Sequence, residues 1–491
     1  MNKDLDVVLV SNRGPVSFVE VQGSFQTQRG AGGLAGALDW AARELGDRAE
    51  WIAAATSDAD KSALEQGATK DLPKELGYPV HLIDIDPDTY SQYYDMVSNR
   101  MLWFANHCLW NELALESFGQ RELTAFEKSY DQVNRKFAEV AAERIGKDAL
   151  VLFQDYHLAT APRHLRDARP DQTILHFTHS SFCGPHGLGR LPRPIPRRII
   201  EGMLGADLVG FHVAPWVEGF MQCCEEIGAE VDRSVGVVEF EGRRSWVRAY
   251  PIPVDADELR ATAAGDDAKM WSQRFGEETT GPLLVRADRT EPSKNIVRGF
   301  RAYGMVLDRR PDLAGRARFV ACLYPSRQSM EEYQTYSAEV REAAAQVNSR
   351  HHGAIDLFME NDFPRTMGAL MVYDVLLVNS IMDGMNLVSK EGAAVNETAG
   401  VLVLSRNAGS FSELGDDSVA IDDPLSIEST AAALEEALDM PMGQRFDRAA
   451  RLKETVSASK PQEWINTQLE DLAAIRDHGE PSTGPAGLTS T

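Results

Sequence analysis

Short apolar runs of strand length alternate with amphipathic segments through most of this chain, and the alternation restricts the folds open to it. Helix-length segments such as 129–145 and 330–347 separate the runs. Parallel strands need such crossover connections, so the sequence predicts doubly wound parallel sheets of the α/β class. The apolar runs are residues 7–10, 150–153, 173–177, 208–211, 283–285, 319–323, 375–378 and 401–404.

The chain is long enough for two domains. It has 491 residues, and single hydrophobic cores stop growing well below that length. Pro251 and Pro253 interrupt the pattern as a linker would, which predicts an N-terminal domain over 1–250 and a C-terminal domain over 251–460. The stretch 479–491 is rich in Pro, Gly, Ser and Thr and is predicted to be disordered.

The charge balance argues against several classes of partner. Lys plus Arg number 50 and Asp plus Glu 74, a formal net charge of −24. Such a surface repels nucleic acid and anionic lipid, so any phosphate must be bound by a local group of cations. No apolar run has membrane-spanning length, and no signal peptide is recognised, which predicts a cytoplasmic protein. The 5 cysteines lack CxxC spacing, which favours thiols over a zinc site.

Polar side chains follow the predicted strands in both halves of the chain. In open α/β sheets, ligands bind outside the carboxyl ends of the strands. One such residue alone would be an ordinary solvated loop residue, but several together predict one cleft between two sheets. The residues at strand ends are Asp155, His157, His179, Asp288, Arg289, Arg327 and Asp383.

Two further segments allow more than one interpretation. The glycine-rich stretch 30–36 contains a GxGxxA, but about twenty residues separate it from the first strand, so a loop that lets an anion or a sugar approach fits better than a dinucleotide site. The acids of Asp84, Asp86 and Asp88 resemble a metal-binding DxD, although a solvated turn around Pro87 is favoured.

Two charged motifs indicate a diphosphate site. Arg289 and Lys294 lie five residues apart in a turn that follows a strand, and a diphosphate leaving group needs its charge neutralised by a metal or by fixed cations. An ion pair with a neighbouring acid is the structural alternative. In the second motif, Asp383 and Glu391 flank a turn and a helix whose free amides would face an anion.

In order and spacing, these motifs resemble the retaining trehalose-6-phosphate synthases, glycosyltransferase family 20. The resemblance runs from Val8 to about residue 470 and implies a GT-B fold, with two Rossmann-like domains facing a central cleft, no metal and no cofactor. It also implies that a last helix, 461–478, returns to the first domain. The matching pieces are VSNRGP (10–15), GAGGL (30–34), YYDMVSNRMLW (93–103), QDYHL (154–158), ADLVGFH (206–212), RTEPSK (289–294), PSR (325–327), DGMNLVSKE (383–391), VLVLS (401–405) and NAGS (407–410).

The resemblance also implies roles for individual residues in a transfer of glucose from a nucleotide sugar to glucose 6-phosphate. Arg289 and Lys294 would clamp the donor diphosphate, with Asp383 on the donor sugar and Glu391 on the ribose. His179 would touch the donor sugar. Other donor residues would be Gly33, Asn361, Thr366, Met385, Asn386 and Leu387; the acceptor residues would be Arg13, Tyr94, Trp103, Asp155 and Arg327. The catalytic set would be Asp155, His179, Arg289, Lys294 and Asp383.

Three segments depart from the family pattern. His179 is followed by SSFCG where the family usually has IPFPS, and Trp51 is followed three residues later by Ala54 where a second tryptophan is usual. The stretch ENDF at 360–363 resembles the validoxylamine 7'-phosphate synthase branch, which uses a GDP-linked cyclitol donor. We therefore expect GDP-glucose to be favoured over UDP-glucose.

Two alternative functions stay open at this stage. One is a pseudoglycosyltransferase of the validoxylamine type, and the other is a non-catalytic regulatory homologue. The intact SNRGP and GGL disfavour the first, and the complete donor set disfavours the second. A homodimer or homotetramer is left open.

Overall fold

The computed structural model describes residues 6–29, 33–110 and 118–484. The chain divides into two compact units. The first holds the described residues up to Ile252 and those from Pro461 onward, and the second holds Pro253–Lys460. The division between Ile252 and Pro253 falls within the proline-marked stretch.

The first unit is built on a mostly parallel sheet of nine strands. Its order is β5-β4-β1-β6-β7-β8-β11-β10-β9, parallel from β5 to β11 and antiparallel through β10 and β9. β2 and β3 form a separate antiparallel hairpin. The strands are β1 Val7–Val10, β2 Val16–Val21, β3 Ser24–Arg29, β4 Ala49–Ala54, β5 Val80–Ile83, β6 Leu150–Gln154, β7 Thr173–Phe177, β8 Leu208–Phe211, β9 Glu230–Asp232, β10 Val237–Phe240 and β11 Arg243–Ala249.

Helices connect the parallel strands of this unit, as the crossovers of a parallel sheet require. The α-helices are Gly33–Leu45, Asp58–Glu65, Leu72–Leu76, Pro87–Ser91, Trp103–Asn106, Gln120–Ala125, Asp131–Arg144, Ala161–Ala168, Gly184–Leu188, Pro194–Met203, Ala214–Glu226 and Pro461–His478. Segments Gln92–Leu102 and Phe126–Tyr130 are π-helical, and Gly46–Arg48, Ala68–Asp71 and Tyr156–Leu158 are 3₁₀-helical.

The second unit is a parallel sheet of six strands in the order β14-β13-β12-β15-β16-β17. Alternate residues of the central strands enter two separate apolar clusters, one on each sheet face; Phe319 and Ala321 enter one cluster and Val320 the other. The strands are β12 Leu283–Arg289, β13 Arg318–Tyr324, β14 Ile355–Met359, β15 Val375–Val378, β16 Val401–Ser405 and β17 Val419–Ile421.

The helices of the second unit cover both faces of that sheet. The α-helices are Ala256–Ala263, Asp266–Glu278, Ile296–Arg309, Glu331–Arg350, Phe363–Val372, Leu387–Val395, Phe411–Leu414, Ile427–Asp439 and Met442–Ser457, with 3₁₀ turns at Pro292–Lys294 and Gly415–Asp417. In the described part of the chain, no helix is both long enough and apolar enough to cross a membrane.

Each parallel sheet has the strand order of a Rossmann fold. Numbered along the chain within each unit, leaving out the hairpin, the orders both read 3-2-1-4-5-6 from one edge. The order reverses between β1 and β6 in the first unit and between β12 and β15 in the second. Ligands of such sheets bind at this switch point, beyond the carboxyl ends of the strands.

The last helix, Pro461–His478, packs in the first unit against β6, β7 and the helix Gly33–Leu45. Trp464 donates from its indole to the Tyr250 carbonyl at 2.9 Å. The buried carboxylate of Asp471 accepts hydrogen bonds from the Tyr250 hydroxyl, at 2.6 Å, and from Ser482 and Thr483. The helix is therefore bonded to Ser482 and Thr483 of the segment that follows it, and residues 485–491 lie outside the described residues.

We expect Asp471→Ala to lower the free energy of unfolding by about 1–3 kcal/mol, because the substitution leaves the buried Tyr250 hydroxyl without its acceptor. Burial alone would raise the pKa of Asp471, but its three hydrogen-bond donors lower it. The stabilisation is therefore present at neutral pH and is lost as the pH falls through the acidic range. Chemical denaturation of both proteins at pH 7 and pH 4 measures it, and equal stability at pH 7 would contradict this role.

Candidate active site

At the switch point of the second sheet, a partly buried lysine and a buried aspartate pair with each other. Lys294 lies on the 3₁₀ turn after β12 and Asp383 on the loop after β15, and the Lys294 ammonium contacts Asp383 Oδ2. Burial opposes the charge on Lys294, but Asp383 and Asp288 raise its pKa. The lysine therefore stays cationic at neutral pH, as is required of a group that binds a diphosphate.

The loop that carries Asp383 is fixed on all sides. Oδ2 of Asp383 accepts from Asn386 Nδ2 at 2.9 Å and from the Ser380 hydroxyl at 3.3 Å. Asn386 has a φ of 71° and accepts at its Oδ1 from the Ser389 amide, at 3.0 Å, which caps the helix Leu387–Val395. The predicted turn into a helix after residue 383 is confirmed, and an anion could bind the amides of this helix N-terminus other than the capped amide of Ser389.

The segment that follows β16 holds this loop from the other side. Asp383 donates from its amide to the Asn407 carbonyl at 3.1 Å, and Gly409 donates to the Asp383 carbonyl at 3.1 Å. The Ser410 amide donates to the Met385 carbonyl at 2.7 Å. A Cβ on Gly409 would lie 2.1 Å from the Gly384 carbonyl oxygen, so only glycine permits the approach. The NAGS segment thus sets the backbone of the candidate donor loop.

Two arginines beside this pair share one buried carboxylate. Glu291 Oε1 lies 2.9 Å from Arg289 Nη1 and 3.1 Å from Arg327 Nη1, and it accepts from the Ser326 hydroxyl at 2.8 Å. The Glu291 side chain is fully buried. Burial would raise its pKa, but Arg289, Arg327 and Lys294 lower the pKa to about 2. No role for Glu291 could be predicted from the sequence, because its contacts join two loops that follow different strands.

Glu391 lies on the helix that starts after Asn386, and its carboxylate has no hydrogen bond or ion pair with any residue in the described ranges 6–29, 33–110 and 118–484. Removal from bulk water raises its pKa to about 7. A half-buried acid without a partner is uncommon in a folded protein. It is a candidate for binding a ligand's hydroxyl groups.

The ENDF stretch, residues 360–363, leads into the helix Phe363–Val372. Asp362 caps this helix by accepting from the Arg365 amide at 2.9 Å. The Arg365 guanidinium binds Glu360 Oε1 at 2.6 Å and Asp362 Oδ2 at 2.8 Å. The carboxylates of Glu360 and Asp362 are therefore both bound by Arg365, whereas Asn361 is exposed. The Thr366 hydroxyl donates to the Asp362 carbonyl at 3.0 Å.

In the first unit, a row of side chains connects the ends of β1 and β6. Arg13 donates from Nη2 to the Tyr94 hydroxyl at 3.1 Å. The Tyr94 ring stacks on His157 with 5.6 Å between centroids, and His157 Nδ1 lies 3.5 Å from Asp155 Oδ2. The structure thus brings together three predicted residues, and His157, named above only as a strand-end residue, links Tyr94 to Asp155.

Asp155 and His179 meet at the carboxyl ends of β6 and β7. Asp155 has a φ of 71° and accepts at Oδ1 from the His179 amide at 3.2 Å. Burial would raise the pKa of Asp155, but His157 and His179 lower it, and burial lowers the pKa of His179 to about 4. His179 is therefore neutral at pH 7, with its Nε2 2.9 Å from Gln154 Oε1.

Trp103 lies in the same group of rings. It is 7% exposed and stacks on His107, with 3.8 Å between centroids, and its ring lies at a tilt of 54° to the Tyr156 ring, with 5.9 Å between centroids. Tyr156 in turn stacks on His157 at 4.2 Å. Three predicted acceptor residues of this unit, Tyr94, Trp103 and Asp155, are therefore linked through His157 and its neighbours.

The segment that departs from the family pattern after His179 is anchored to one residue. The Asn106 carbonyl accepts from the Ser181 hydroxyl at 2.7 Å and from the Cys183 thiol at 2.8 Å, and Asn106 Nδ2 donates to Ser180 at 3.2 Å. Gly184 has a φ of 63° and lies against Gly219, so a Cβ there would be 2.9 Å from the Gly219 backbone. The changed sequence therefore forms a fixed loop.

The remaining sequence predictions have separate outcomes. Of the glycine-rich loop, residues 30–32 lie outside the described residues, and Gly33 is the first residue of the helix Gly33–Leu45. Asp86 caps the helix Pro87–Ser91 through the Thr89 amide at 2.9 Å, as expected for a turn around Pro87. Among the described residues, no three His, Cys, Asp or Glu side chains form a group able to hold a metal ion.

Comparison with known proteins identifies the class of enzyme. The sequence profile of glycosyltransferase family 20 matches residues 5–474. A trehalose-6-phosphate synthase of Mycolicibacterium smegmatis is 30% identical over 503 aligned positions, covering 99% of this chain and 94% of the relative. A validamine 7-phosphate valienyltransferase of Streptomyces hygroscopicus subsp. jinggangensis is 29% identical, covering 87% of this chain and 86% of the relative.

A solved structure agrees with these relatives. The crystal structure of an alpha,alpha-trehalose-phosphate synthase (UDP-forming) from Burkholderia vietnamiensis superposes with a TM-score of 0.78 at 26% identity, covering 96% of this chain and 100% of that one. The fold is the GT-B type that the sequence predicted, and the protein is a glycosyltransferase. The chain belongs to glycosyltransferase family 20.

Proposed function

We propose that this enzyme transfers glucose from a nucleoside-diphosphate glucose to glucose 6-phosphate and forms alpha,alpha-trehalose 6-phosphate with retention of configuration. The observation that carries the proposal is the Lys294–Asp383 pair beside Arg289 at the switch point of the second sheet. It combines fixed cations for a diphosphate with a carboxylate for a sugar hydroxyl. The relatives named as trehalose-6-phosphate synthases support the same reaction.

The donor would bind at the loops after β12 and β15. Arg289 and Lys294 offset the charge that grows on the diphosphate as the glycosidic bond breaks, and these fixed cations would serve where other transferases use a metal. Asp383 accepts from a glucose hydroxyl, and Glu391 accepts from the ribose hydroxyls. The backbone at Gly33, Met385, Asn386 and Leu387 would line the diphosphate, because it lies at helix N-termini.

The acceptor phosphate would be bound by Arg13, Tyr94 and Arg327, and Trp103 would line the sugar. Asp155 would bind an acceptor hydroxyl, and the neutral His179 would contact the donor sugar. In the expected mechanism, the acceptor oxygen attacks the front face of the anomeric carbon while the leaving phosphate takes its proton. That path needs no pair of carboxylates flanking the anomeric carbon, unlike retaining hydrolases.

The proposal is tested by measuring nucleoside diphosphate released from GDP-, UDP- and ADP-glucose with and without glucose 6-phosphate. We expect release to require the acceptor. Release that is absent with every donor would favour the non-catalytic homologue. Release only with a cyclitol donor and an aminocyclitol phosphate would favour the validoxylamine type, to which the 29% identical valienyltransferase belongs by name.

For the donor base, we expect kcat/KM to be higher for GDP-glucose than for UDP-glucose. Guanine presents an N1–H and an amine as donors to an amide or acid oxygen, and O6 and N7 as acceptors for an amide NH₂. The exposed Asn361 amide and Glu360 Oε2, the oxygen of that carboxylate not bound by Arg365, supply these types at one helix end. Uracil would leave some of them unpaired, at a cost of about a hundredfold.

The matched variant is Asn361→Ala, which should lose the preference for GDP-glucose and keep activity with UDP-glucose. Thr366→Val tests the neighbouring hydroxyl in the same assay. A clear preference of the wild type for UDP-glucose, or equal values for both donors, would contradict the assignment of guanine.

The raised pKa of Glu391 predicts a pH dependence of donor binding. Below about pH 7 the carboxyl is protonated in the free enzyme, and it then accepts hydrogen bonds less well. The donor KM should therefore fall as the pH rises from 6 to 8, while Glu391→Gln should show a flat profile and a higher KM at pH 8. A wild-type KM that is constant over this range would contradict the role of Glu391.

A further inference from the structure

Arg289 and Arg327, to which the proposed function gives different phosphates, are both bound by the same carboxylate oxygen. Arg289 Nη1 lies 2.9 Å and Arg327 Nη1 3.1 Å from Oε1 of Glu291. Arg289 is the last residue of β12, and Arg327 lies on the loop after the neighbouring strand β13. We infer that Glu291 is a positioning residue that couples the binding of the donor diphosphate to the binding of the acceptor phosphate. This inference rests on the proposed function.

The position of Glu291 is not that of an ordinary ion pair. Its side chain is fully buried, and Oε2 has no hydrogen-bond partner within the described part of the chain. A carboxylate with an unsatisfied buried oxygen is costly to keep. One oxygen serves three donors, the two arginines and the Ser326 hydroxyl. The carboxylate therefore holds the two guanidinium groups at fixed positions relative to each other.

The backbone around both arginines is fixed as well. The Glu291 amide donates to the Arg289 carbonyl at 2.8 Å, and the Thr290 amide donates to the Tyr324 carbonyl of β13 at 2.8 Å. Arg327 has a φ of 44°, and its Nη1 also donates to the Tyr333 hydroxyl at 2.8 Å. Because the backbone is held in this way, the conformational freedom of the two arginines lies in their side chains.

The physical consequence is cooperative binding. When the first anion orders one arginine side chain, the shared oxygen also orders the other. The second anion therefore binds with a smaller loss of conformational entropy. The carboxylate also offsets the repulsion between the two cations, each of which disfavours the charge on the other. Without this carboxylate, each anion would have to order its own arginine.

The test is isothermal titration calorimetry of glucose 6-phosphate with and without saturating GDP, repeated with UDP. For the wild type, we expect the nucleotide to lower the Kd of glucose 6-phosphate about fivefold or more, and glucose 6-phosphate to lower the nucleotide Kd by the same factor. In Glu291→Gln, both factors should fall below about twofold. Glu291→Asp keeps the charge but is one methylene shorter, so it should also lose the coupling.

Ser326→Ala is the matched control, because it removes the neutral donor to the same oxygen and leaves both ion pairs; it should keep the coupling. Thermal melts check that each variant folds, and Glu291→Asp decides if Glu291→Gln does not fold. The inference would be overturned if the coupling were equal in the wild type and in a folded Glu291 variant. It would also be overturned if a wild type that binds both ligands showed no coupling. Either result would leave the proposed function standing. A wild type that binds neither ligand would contradict the proposed function, and the inference with it.

Discussion

Arg289→Ala and Lys294→Ala should each lower kcat by about a hundredfold or more and change the donor KM far less. The charge on the diphosphate increases as the bond to glucose breaks, so a cation placed there contributes more in the transition state than in the ground state. For Lys294 the effect has a second source. Its removal leaves the buried Asp383 carboxylate without its ion pair to Lys294, so a buried charge next to the donor sugar loses its partner.

Arg301→Ala is a suitable control for this pair. It removes an exposed cation from the helix Ile296–Arg309 that follows the same turn, so it changes the net charge of the protein by the same amount. Steady-state kinetics with saturating acceptor give both constants for each variant. Folded variants of Arg289 and Lys294 with the kcat of the wild type would remove the diphosphate assignment.

Glucose 6-phosphate should exceed glucose as an acceptor by about a thousandfold in kcat/KM. An acceptor without the phosphate loses the charge-assisted hydrogen bonds that the cations of the site offer, and such bonds are about twice as strong as neutral ones. Arg13, which donates to Tyr94, and Arg327, which is bound by Glu291, are the cations concerned. The protein as a whole is strongly acidic, so a phosphate needs a local group of cations such as these two arginines.

Substitutions at the proposed phosphate site distinguish a loss of phosphate binding from a general loss of activity. Arg327→Ala and Arg13→Ala should each reduce kcat/KM for glucose 6-phosphate strongly and leave the low rate with glucose nearly unchanged. Tyr94→Phe, which removes only the hydroxyl, should have a smaller effect. If the wild type used both acceptors equally well, or if Arg327→Ala kept full activity with glucose 6-phosphate, the assignment of the phosphate site would be wrong.

The sequence predicted those parts of the fold that depend on local pattern. The runs Val7–Val10 and Val375–Val378 are apolar throughout and became central strands. The strand Ala49–Ala54 was not predicted, because Glu50 interrupts its apolar pattern and its three alanines favour strands little. In the structure, Glu50 is buried and bound by Arg144 Nε at 2.7 Å, a partner 94 residues away in the chain.

The candidate site likewise has features that local sequence predicts and features that it does not. The turn at 383–387 could be predicted from its own residues, because a glycine and a capping amide after a buried strand are a local signal. The sharing of Glu291 by Arg289 and Arg327 could not, since it depends on the register of β12 and β13, which pairs Arg289 with Tyr324. The engagement of Glu360 and Asp362 by Arg365 was missed, because charge alone does not show whether an acid already has a partner.

The most direct test of the account is the structure of the product made from a nucleoside-diphosphate glucose and glucose 6-phosphate. The purified product is examined by proton and carbon NMR before and after removal of its phosphate. The account predicts a non-reducing disaccharide monophosphate with both anomeric centres in the α configuration, and its formation should be lost in Lys294→Ala. A product with a reducing end, a β linkage, or no disaccharide despite release of the nucleotide would contradict it.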